Sequence, residues 1–303
     1  MENSLEISLC IPTNGIDDFI FEVLDSICSQ NVSCNIYEVI IMDNGNNNHF
    51  KKKIKEYVKD KANFYYYETD AELFMGEIEA YKKARGRFIK FINHRTKLMT
   101  GTLKHYLDVV ETYSNQKSII YFSNGVLNKN MIMNIKCFDD MIYNLSYWSS
   151  WSTGMGIWKE DFWEIVNSED THINYLFPHT SILFAIYKNR EYVIDDVELL
   201  QELRSKNIQK GNYDLFHAFC VEYPSILCDL YRNKYITAKT LKKVLDDNLN
   251  LIAFFYRGFV TFRKKTSYCL DGYDDATDIF YTKAQVEERI FKLYGEQDDR
   301  DGR

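Results

Sequence analysis

Three short segments carry residues able to hold a base or an anionic ligand, each just beyond an apolar run. Pro12, Thr13 and Asn14 follow Ile7–Ile11, and Asp43 and Asn44 follow Tyr37–Met42. A carboxylate such as Asp43 accepts a hydrogen bond from an N–H on a base edge, and a short loop such as Pro12–Gly15 lets backbone groups approach a ligand closely. Asp43 equally suits an Asx turn or the cap of a following helix. The third segment, Asn93-His94-Arg95-Thr96-Lys97, follows Phe88–Ile92 and offers two cations, Arg95 and Lys97. A diphosphate accepts charge and hydrogen bonds well from Arg; the plainer reading is a solvated turn. Further on, Pro178-His179 presents an imidazole, whose unperturbed pKa of about 6.5 suits proton transfer at neutral pH. Its plainer reading is a histidine packed at a helix start, and His172 is expected at the surface.

Such residues need a scaffold, and the periodicity supplies one. Strand-like runs at Ile7–Ile11, Tyr37–Met42, Phe64–Tyr67, Phe88–Ile92 and Ser118–Ser123 alternate with helix-period segments. The first helix carries Phe19, Ile20, Val23, Leu24 and Ile27 on one face behind Asp17 as its cap. The second carries Phe50, Ile54, Tyr57 and Val58; a third covers Ala71–Ala84; a fourth carries Leu103, Leu107, Val110 and Tyr113. This alternation predicts an α/β fold with a mainly parallel sheet, helices on both faces and ligands beyond the carboxyl ends of the strands. Gly125–Phe138 is expected to be a hairpin turning at Asn128-Lys129-Asn130. Helices are expected over Glu160–Val166 and Ser181–Tyr187, and mostly helix from Tyr213 to Tyr294. The expected organisation is a domain over 1–212, a helical region over 213–295 packed on it, and a flexible tail over 296–303.

A chain of 303 residues with 46% hydrophobic and 27% charged residues has the balance of a globular protein. Its formal net charge of −7 argues against nucleic acid as a partner, while a local cationic pocket for a diphosphate remains compatible with it. The seven cysteines are scattered without a C-x-x-C pair, as expected for free thiols in a reducing compartment. Met1–Glu6 has no basic segment leading into a long apolar one, and no run of about 18 apolar residues occurs, so neither export nor a membrane span is expected. The 23 Tyr and 20 Phe decide nothing by themselves, since most must fill a core.

Three segments together resemble glycosyltransferase family 2. Ile7-Ser8-Leu9-Cys10-Ile11-Pro12-Thr13-Asn14 is similar to that family's opening strand and turn. Val39-Ile40-Ile41-Met42-Asp43-Asn44-Gly45-Asn46 resembles its apolar strand ending in Asp-Asp-Gly-Ser, and Ala84-Arg85-Gly86-Arg87-Phe88-Ile89-Lys90-Phe91-Ile92 its Ala-x-Gly-x-Phe-Ile strand. The resemblance covers about the first hundred residues, in order and spacing. It implies a GT-A (Rossmann-like) fold, with Asp43 reading the base, commonly uracil, and Pro12, Thr13, Asn14 and Asn44 around the nucleotide. Trp151-Ser152-Thr153-Gly154-Met155-Gly156 looks like the family's acceptor-side segment, which implies acceptor contacts for Trp151, Gly154 and Gly156. The family's catalytic Asp falls near Phe177-Pro178-His179-Thr180. This makes His179 a candidate base, similar to the abequosyltransferase-like subgroup, with Asp170 as the acidic alternative.

Two family features are missing. Where it carries Asp-x-Asp holding Mg²⁺ or Mn²⁺, this chain has Asn93-His94-Arg95, and Glu77-Ile78-Glu79-Ala80 stands in place of Arg-Asn-x-Gly. No metal or other cofactor is therefore expected, Arg95 and Lys97 supplying positive charge instead; His94 with Asp70 or Glu72 is the alternative ligand set if a divalent metal is used. The resemblance implies an inverting transfer from a nucleotide sugar, UDP-linked if the base reading holds, to a glycan or lipid-linked acceptor in surface polysaccharide synthesis. The alternative is an inactive GT-A domain that still binds nucleotide or glycan. The expected location is the cytoplasm, with the inner face of the membrane as a possible station. Leu249–Lys265, apolar and aromatic with a basic end, is read first as a buried helix and second as a membrane-surface contact.

Overall fold

A computed structural model describes residues 5–16, 18–169, 171–185, 190–203 and 212–295. The chain divides into two compact units, Met1–Met141 with Ser149–Arg204, and Ile142–Trp148 with Ser205–Arg303. In the first unit β1 (Ile7–Thr13), α1 (Ile20–Cys28), β2 (Tyr37–Asp43), α2 (Asn48–Val58), β3 (Phe64–Glu68), α3 (Gly76–Lys83), β4 (Phe88–Phe91), β5 (Thr96–Leu98), α4 (Thr102–Thr112), β6 (Ile119–Phe122) and β7 (Ile132–Ile135) follow in order. Next come α5 (Phe138–Leu145), which ends in the second unit, then β8 (Gly156–Trp158), α6 (Lys159–Val166), α7 (Pro178–Ala185), β9 (Tyr192–Asp195) and β10 (Leu200–Glu202).

The central sheet runs β3-β2-β1-β4-β8, with β8 antiparallel to β4 and the other pairings parallel. Every residue of β2 is buried, as expected of an inner parallel strand covered on both faces. The core joins Leu9, Ile11, Val39 and Ile41 to Val23 and Ile27 of α1, Phe50 of α2 and Tyr106 of α4. At the amino ends of the strands, buried Glu38 accepts hydrogen bonds from the Ser8 hydroxyl at 2.7 Å and from the Arg85 backbone and Nε at 2.6 and 2.8 Å. Ser8 Oγ in turn accepts the Gly86 N–H at 2.8 Å.

Two local expectations need correction. Gly125–Phe138 does not pair with itself: β7 runs antiparallel to β9, while β6 runs parallel to β9. Asp196, just past β9, accepts the Ser123 hydroxyl and the Leu127, Lys129 and Asn130 amides, so a remote carboxylate organises the turn. The helix expected over Ala71–Ala84 begins only at Gly76, after a 3-10 turn at Leu73–Met75 whose Leu73 has φ 48°. That left-handed residue ends any regular helix to its N-terminal side. The helix expected from Ser181 starts earlier, at Pro178, because proline suits the first turn.

The second unit contains α8 (Leu215–His217), which continues through a π turn at Ala218–Glu222 into α9 (Tyr223–Arg232), then α10 (Ala238–Phe255), α11 (Tyr273–Ala276) and α12 (Lys283–Tyr294). The Phe219 carbonyl sits where its π-turn donor would be Pro224, which has no N–H; buried Asn248 on α10 donates to it instead at 2.8 Å. Thus one polar side chain completes a helix irregularity with its neighbour. In the stretch from Leu249 to Lys265, Leu249, Ile252 and Ala253 are buried, whereas Phe254, Phe262 and Arg263–Lys265 are exposed. Among the described residues, no helix is long and apolar enough to cross a membrane. Residues 17 and 296–303, including the Asp17 cap and the tail, lie outside the described residues.

Candidate functional site

Parallel register sets the site. Thr13 lies opposite Asp43 and Asp43 opposite Glu68, so the carboxyl ends of β1, β2 and β3 share one edge. Beyond that edge the loops after β1 and β2 lie directly on each other. The Asn44 N–H donates to the Thr13 carbonyl at 3.0 Å, and a side chain at Gly45 would meet the Asn14 carbonyl oxygen at 2.2 Å. Only glycine at position 45 permits this approach. Asn47 ties the same loops, accepting the His49 and Phe50 amides as cap of α2 and donating to the Gly15 carbonyl at 3.0 Å.

Asp43 is 1% exposed. Its Oδ1 accepts the Gly45 N–H at 2.8 Å and its Oδ2 accepts the Tyr66 hydroxyl at 2.8 Å. Of its two structural readings, the Asx turn is formed and the helix cap belongs to Asn47. Burial raises the Asp43 pKa, opposed by the Gly45 amide, Tyr66 and Lys51. Each carboxylate oxygen retains a second lone-pair site, which is what an N–H on a base edge requires. Asn44 turns away from Asp43, donating to the Ala71 and Leu73 carbonyls at 3.0 and 3.4 Å.

The segment after β4 joins this edge through His94. Its Nδ1 lies 3.2 Å from the Pro12 carbonyl, and Arg95 Nε donates to its Nε2 at 3.2 Å. Burial, then the charge of Arg95, pushes the His94 pKa down to about 4. Pro12 and Arg95 are therefore linked through His94, Thr13 and Asn44 by a direct hydrogen bond, and Asp43 and Asn14 by their approach to Gly45, along the β1, β2 and β4 ends. Lys97 is not part of that set: it lies on β5, and its Nζ pairs with Glu22 of α1 at 3.3 Å.

A metal does not fit the Asn93-His94-Arg95 segment, because both His94 nitrogens already face other groups and its neighbours are an amide and a cation. Among the described residues, no group of three His, Cys, Asp or Glu side chains is placed to hold one.

His179 lies in the first turn of α7 and is buried. Its Nδ1 stands 3.2 Å from Glu77 Oε2 of α3, and its Nε2 2.8 Å from the Ser150 carbonyl. A carbonyl only accepts, so in this arrangement Nε2 carries hydrogen, and Nδ1 faces the Glu77 carboxyl group. Trp151, Gly154 and Gly156 belong to the segment that follows Ser150. The Trp151 carbonyl accepts the Tyr121 hydroxyl at 2.9 Å, and a side chain at Gly154 would meet that ring at 2.1 Å. Gly154 is thus explained by a close approach inside the unit. Asp170 lies outside the described residues.

Periodicity does not mark Tyr66, Asn47, Glu77 or Lys90. For Tyr66 a signal exists: once Asp43 is set opposite Glu68, the residue two back on β3 is its diagonal neighbour. Lys90, fully buried on β4, donates to the carbonyls of Phe91, Thr153 and Met155 at 2.8, 2.6 and 3.3 Å. Burial pushes it down to about 7, against the pull of Asp195.

No family model matches the chain, and no curated protein matches its sequence. Solved structures do resemble it. Residues 1–349 of S. aureus TarS in complex with UDP-GlcNAc give a TM-score of 0.63 at 17% identity, covering 95% of this chain and 83% of that one. The same TarS fragment with UDP gives 0.60 at 17% identity over the same shares. A longer S. aureus TarS chain gives 0.60 at 17% identity, with 95% of this chain and 50% of that one covered. At this identity the likeness establishes the fold, a GT-A-like α/β arrangement with a mainly parallel sheet between helices.

Proposed function

We propose that this chain is an inverting glycosyltransferase that takes a sugar from a UDP-linked donor and passes it to a glycan or lipid-linked acceptor in surface polysaccharide synthesis. The observation that carries the reading is the joined loop edge: Asp43, the Thr13–Asn44 contact and Arg95 converge at the strand ends of a fold shared with a protein whose structure holds UDP-GlcNAc. Crevices at such ends are where open α/β sheets take ligands. In the proposed reaction the acceptor hydroxyl oxygen bonds to the anomeric carbon and the bond from that carbon to the diphosphate breaks. The electron pair leaves with UDP, and the acceptor's proton passes to His179. The likeness of His179 to the abequosyltransferase-like subgroup draws on sequence alone.

Arg95 is proposed to carry the leaving-group charge, so EDTA should leave turnover unchanged. Arg95→Ala should lower kcat/KM by about 10²–10³-fold, the typical loss for one charge-stabilising donor. The assay is release of UDP from UDP-GlcNAc and a panel of other nucleotide sugars. Restoration of an EDTA-treated enzyme by Mn²⁺ would refute this assignment.

A second reading, a GT-A domain that binds nucleotide without turnover, is favoured by one observation: both ring nitrogens of His179 are engaged. UDP binding with no turnover of any donor would select it. Membrane contact at the cytoplasmic face is proposed for the exposed Phe262 followed by exposed Arg263, Lys264 and Lys265. Co-sedimentation with vesicles containing phosphatidylserine should fall on changing the three basic residues to Gln; equal binding by neutral vesicles would discount the charge.

A further inference from the structure

Tyr66 stands opposite Ile41 in the parallel register of β2 and β3, which puts its side chain on the sheet face that Asp43 occupies one pleat further on. The ring packs against the core, and Lys55 Nζ of α2 lies 5.6 Å from its centroid. From there the hydroxyl reaches Asp43 Oδ2 at 2.8 Å. Burial first, and the bond to Asp43 second, raise the pKa of this phenol, so it keeps its proton and meets the carboxylate as a donor. Among the described residues the Asp43 carboxylate has one further donor, the Gly45 N–H at 2.8 Å from Oδ1. Each oxygen is thus bound once by a neutral group, which sets the plane of the carboxylate without cancelling its charge. Burial pushes Asp43 toward its protonated form, and the Gly45 amide, Tyr66 and Lys51 of α2 oppose this, with Glu68 of β3 acting against them. Lys51 and Lys55 both pair with that Glu68, each at 2.7 Å. What Asp43 offers a ligand is therefore lone pairs and no hydrogen.

We propose that Tyr66 is a positioning residue that sets base specificity through Asp43: its hydroxyl holds the carboxylate as a pure acceptor, so the site takes a base with a ring N–H at that place, as uracil has at N3, and rejects one with a ring lone pair there, as cytosine has. This rests on the nucleotide-sugar reading above, with Asp43 facing the base, and adds to it a cause for choosing between pyrimidines. A protonated carboxyl could donate to the cytosine ring nitrogen, and the choice would weaken. Held as an acceptor, the same group leaves a mismatched base with two lone pairs face to face, the kind of unpaired polar contact from which strong discrimination comes.

The test measures UDP, CDP and N3-methyl-UDP, which has no ring N–H to give, by calorimetry in the wild type, Tyr66→Phe, Asp43→Asn and the double variant. The wild type should prefer UDP to both other ligands. Phenylalanine keeps the ring and its packing and removes only the hydroxyl. Tyr66→Phe should weaken UDP about 10-fold at pH 7 and change CDP and N3-methyl-UDP less than about 3-fold, the scale of one hydrogen bond to a charged group. Without the Tyr66 donor Asp43 takes up its proton at higher pH, so on going from pH 8 to pH 5 the variant should lose UDP affinity earlier than the wild type does. The double variant should lose no more than Asp43→Asn, as for residues acting through one group. If Tyr66→Phe binds UDP as tightly as the wild type, keeps its pH profile, or weakens all three ligands equally, the role of Tyr66 is overturned and the base reading stands. A wild type that binds N3-methyl-UDP as tightly as UDP, or binds none of the three, overturns both.

Discussion

Replacing His179 with Ala is expected to lower turnover by roughly 10²–10⁴-fold while leaving UDP affinity within a few-fold, the pattern of a lost general base. The geometry sets a condition on this. For Nε2 to accept a proton, the 2.8 Å contact with the Ser150 carbonyl must open and the ring's hydrogen must stay on Nδ1, facing Glu77. Glu77 is then the group that fixes the tautomer, as the buried carboxylate does in a Ser-His-Asp triad. Glu77→Gln should therefore cost nearly as much as His179→Ala. A glutamine N–H donating to Nδ1 would force the ring's hydrogen onto Nε2 and remove the basic site. The two variants combined should lose no more than His179→Ala alone. Steady-state kinetics with any donor found to turn over checks all three. Near-normal turnover in His179→Ala would move the base to Asp170 or elsewhere.

The second large effect concerns Lys90 and stability. A lysine with a pKa of 10.5 when unfolded and about 7 when folded has a proton the unfolded chain keeps and the folded chain releases between those values. Stability should consequently rise with pH across that window, by at most about 5 kcal/mol, and be independent of this group below pH 7, where both states hold the proton. Lys90→Met removes the dependence. The stability of the wild type minus that of Lys90→Met, from urea unfolding at pH 6 to 10, should increase as pH rises. A flat difference would mean that the Phe91, Thr153 and Met155 carbonyls keep the ammonium charged throughout.

How far the sequence foretold these features depends on whether the deciding contacts are local. The strand ends at Thr13 and Asp43 were legible because buried parallel strands are short apolar runs, and the residue after such a run must stand at the edge. The cap at Asn47 was legible in principle, as an Asn before a helix-period segment, yet it sat hidden in a run of asparagines. The fold of Gly125–Phe138 was not legible: its turn amides are satisfied by Asp196, and its strand partner β9 comes much later in the chain. Lys90 appears in sequence as an ordinary polar residue within a strand, since the carbonyls it serves stand 63 and 65 positions away. Glu77 and His179 are separated by 102 positions, and nothing in either neighbourhood announces the other. The likeness to family 2 pointed to His179 by place, but only the fold supplied its carboxylate.

The ring of hydrogen bonds around Glu38 has a consequence for what this architecture can become. Ser8 and Arg85 close on that carboxylate at the amino ends of the strands, with the Gly86 N–H bound to the Ser8 hydroxyl, away from the Thr13–Asp43 edge. The register of β1, β2 and β4 is thereby secured without help from any residue that would meet a ligand. Loops at the opposite edge can then be rewritten piece by piece while the frame refolds around the same bolts. In such a protein new chemistry is a local edit.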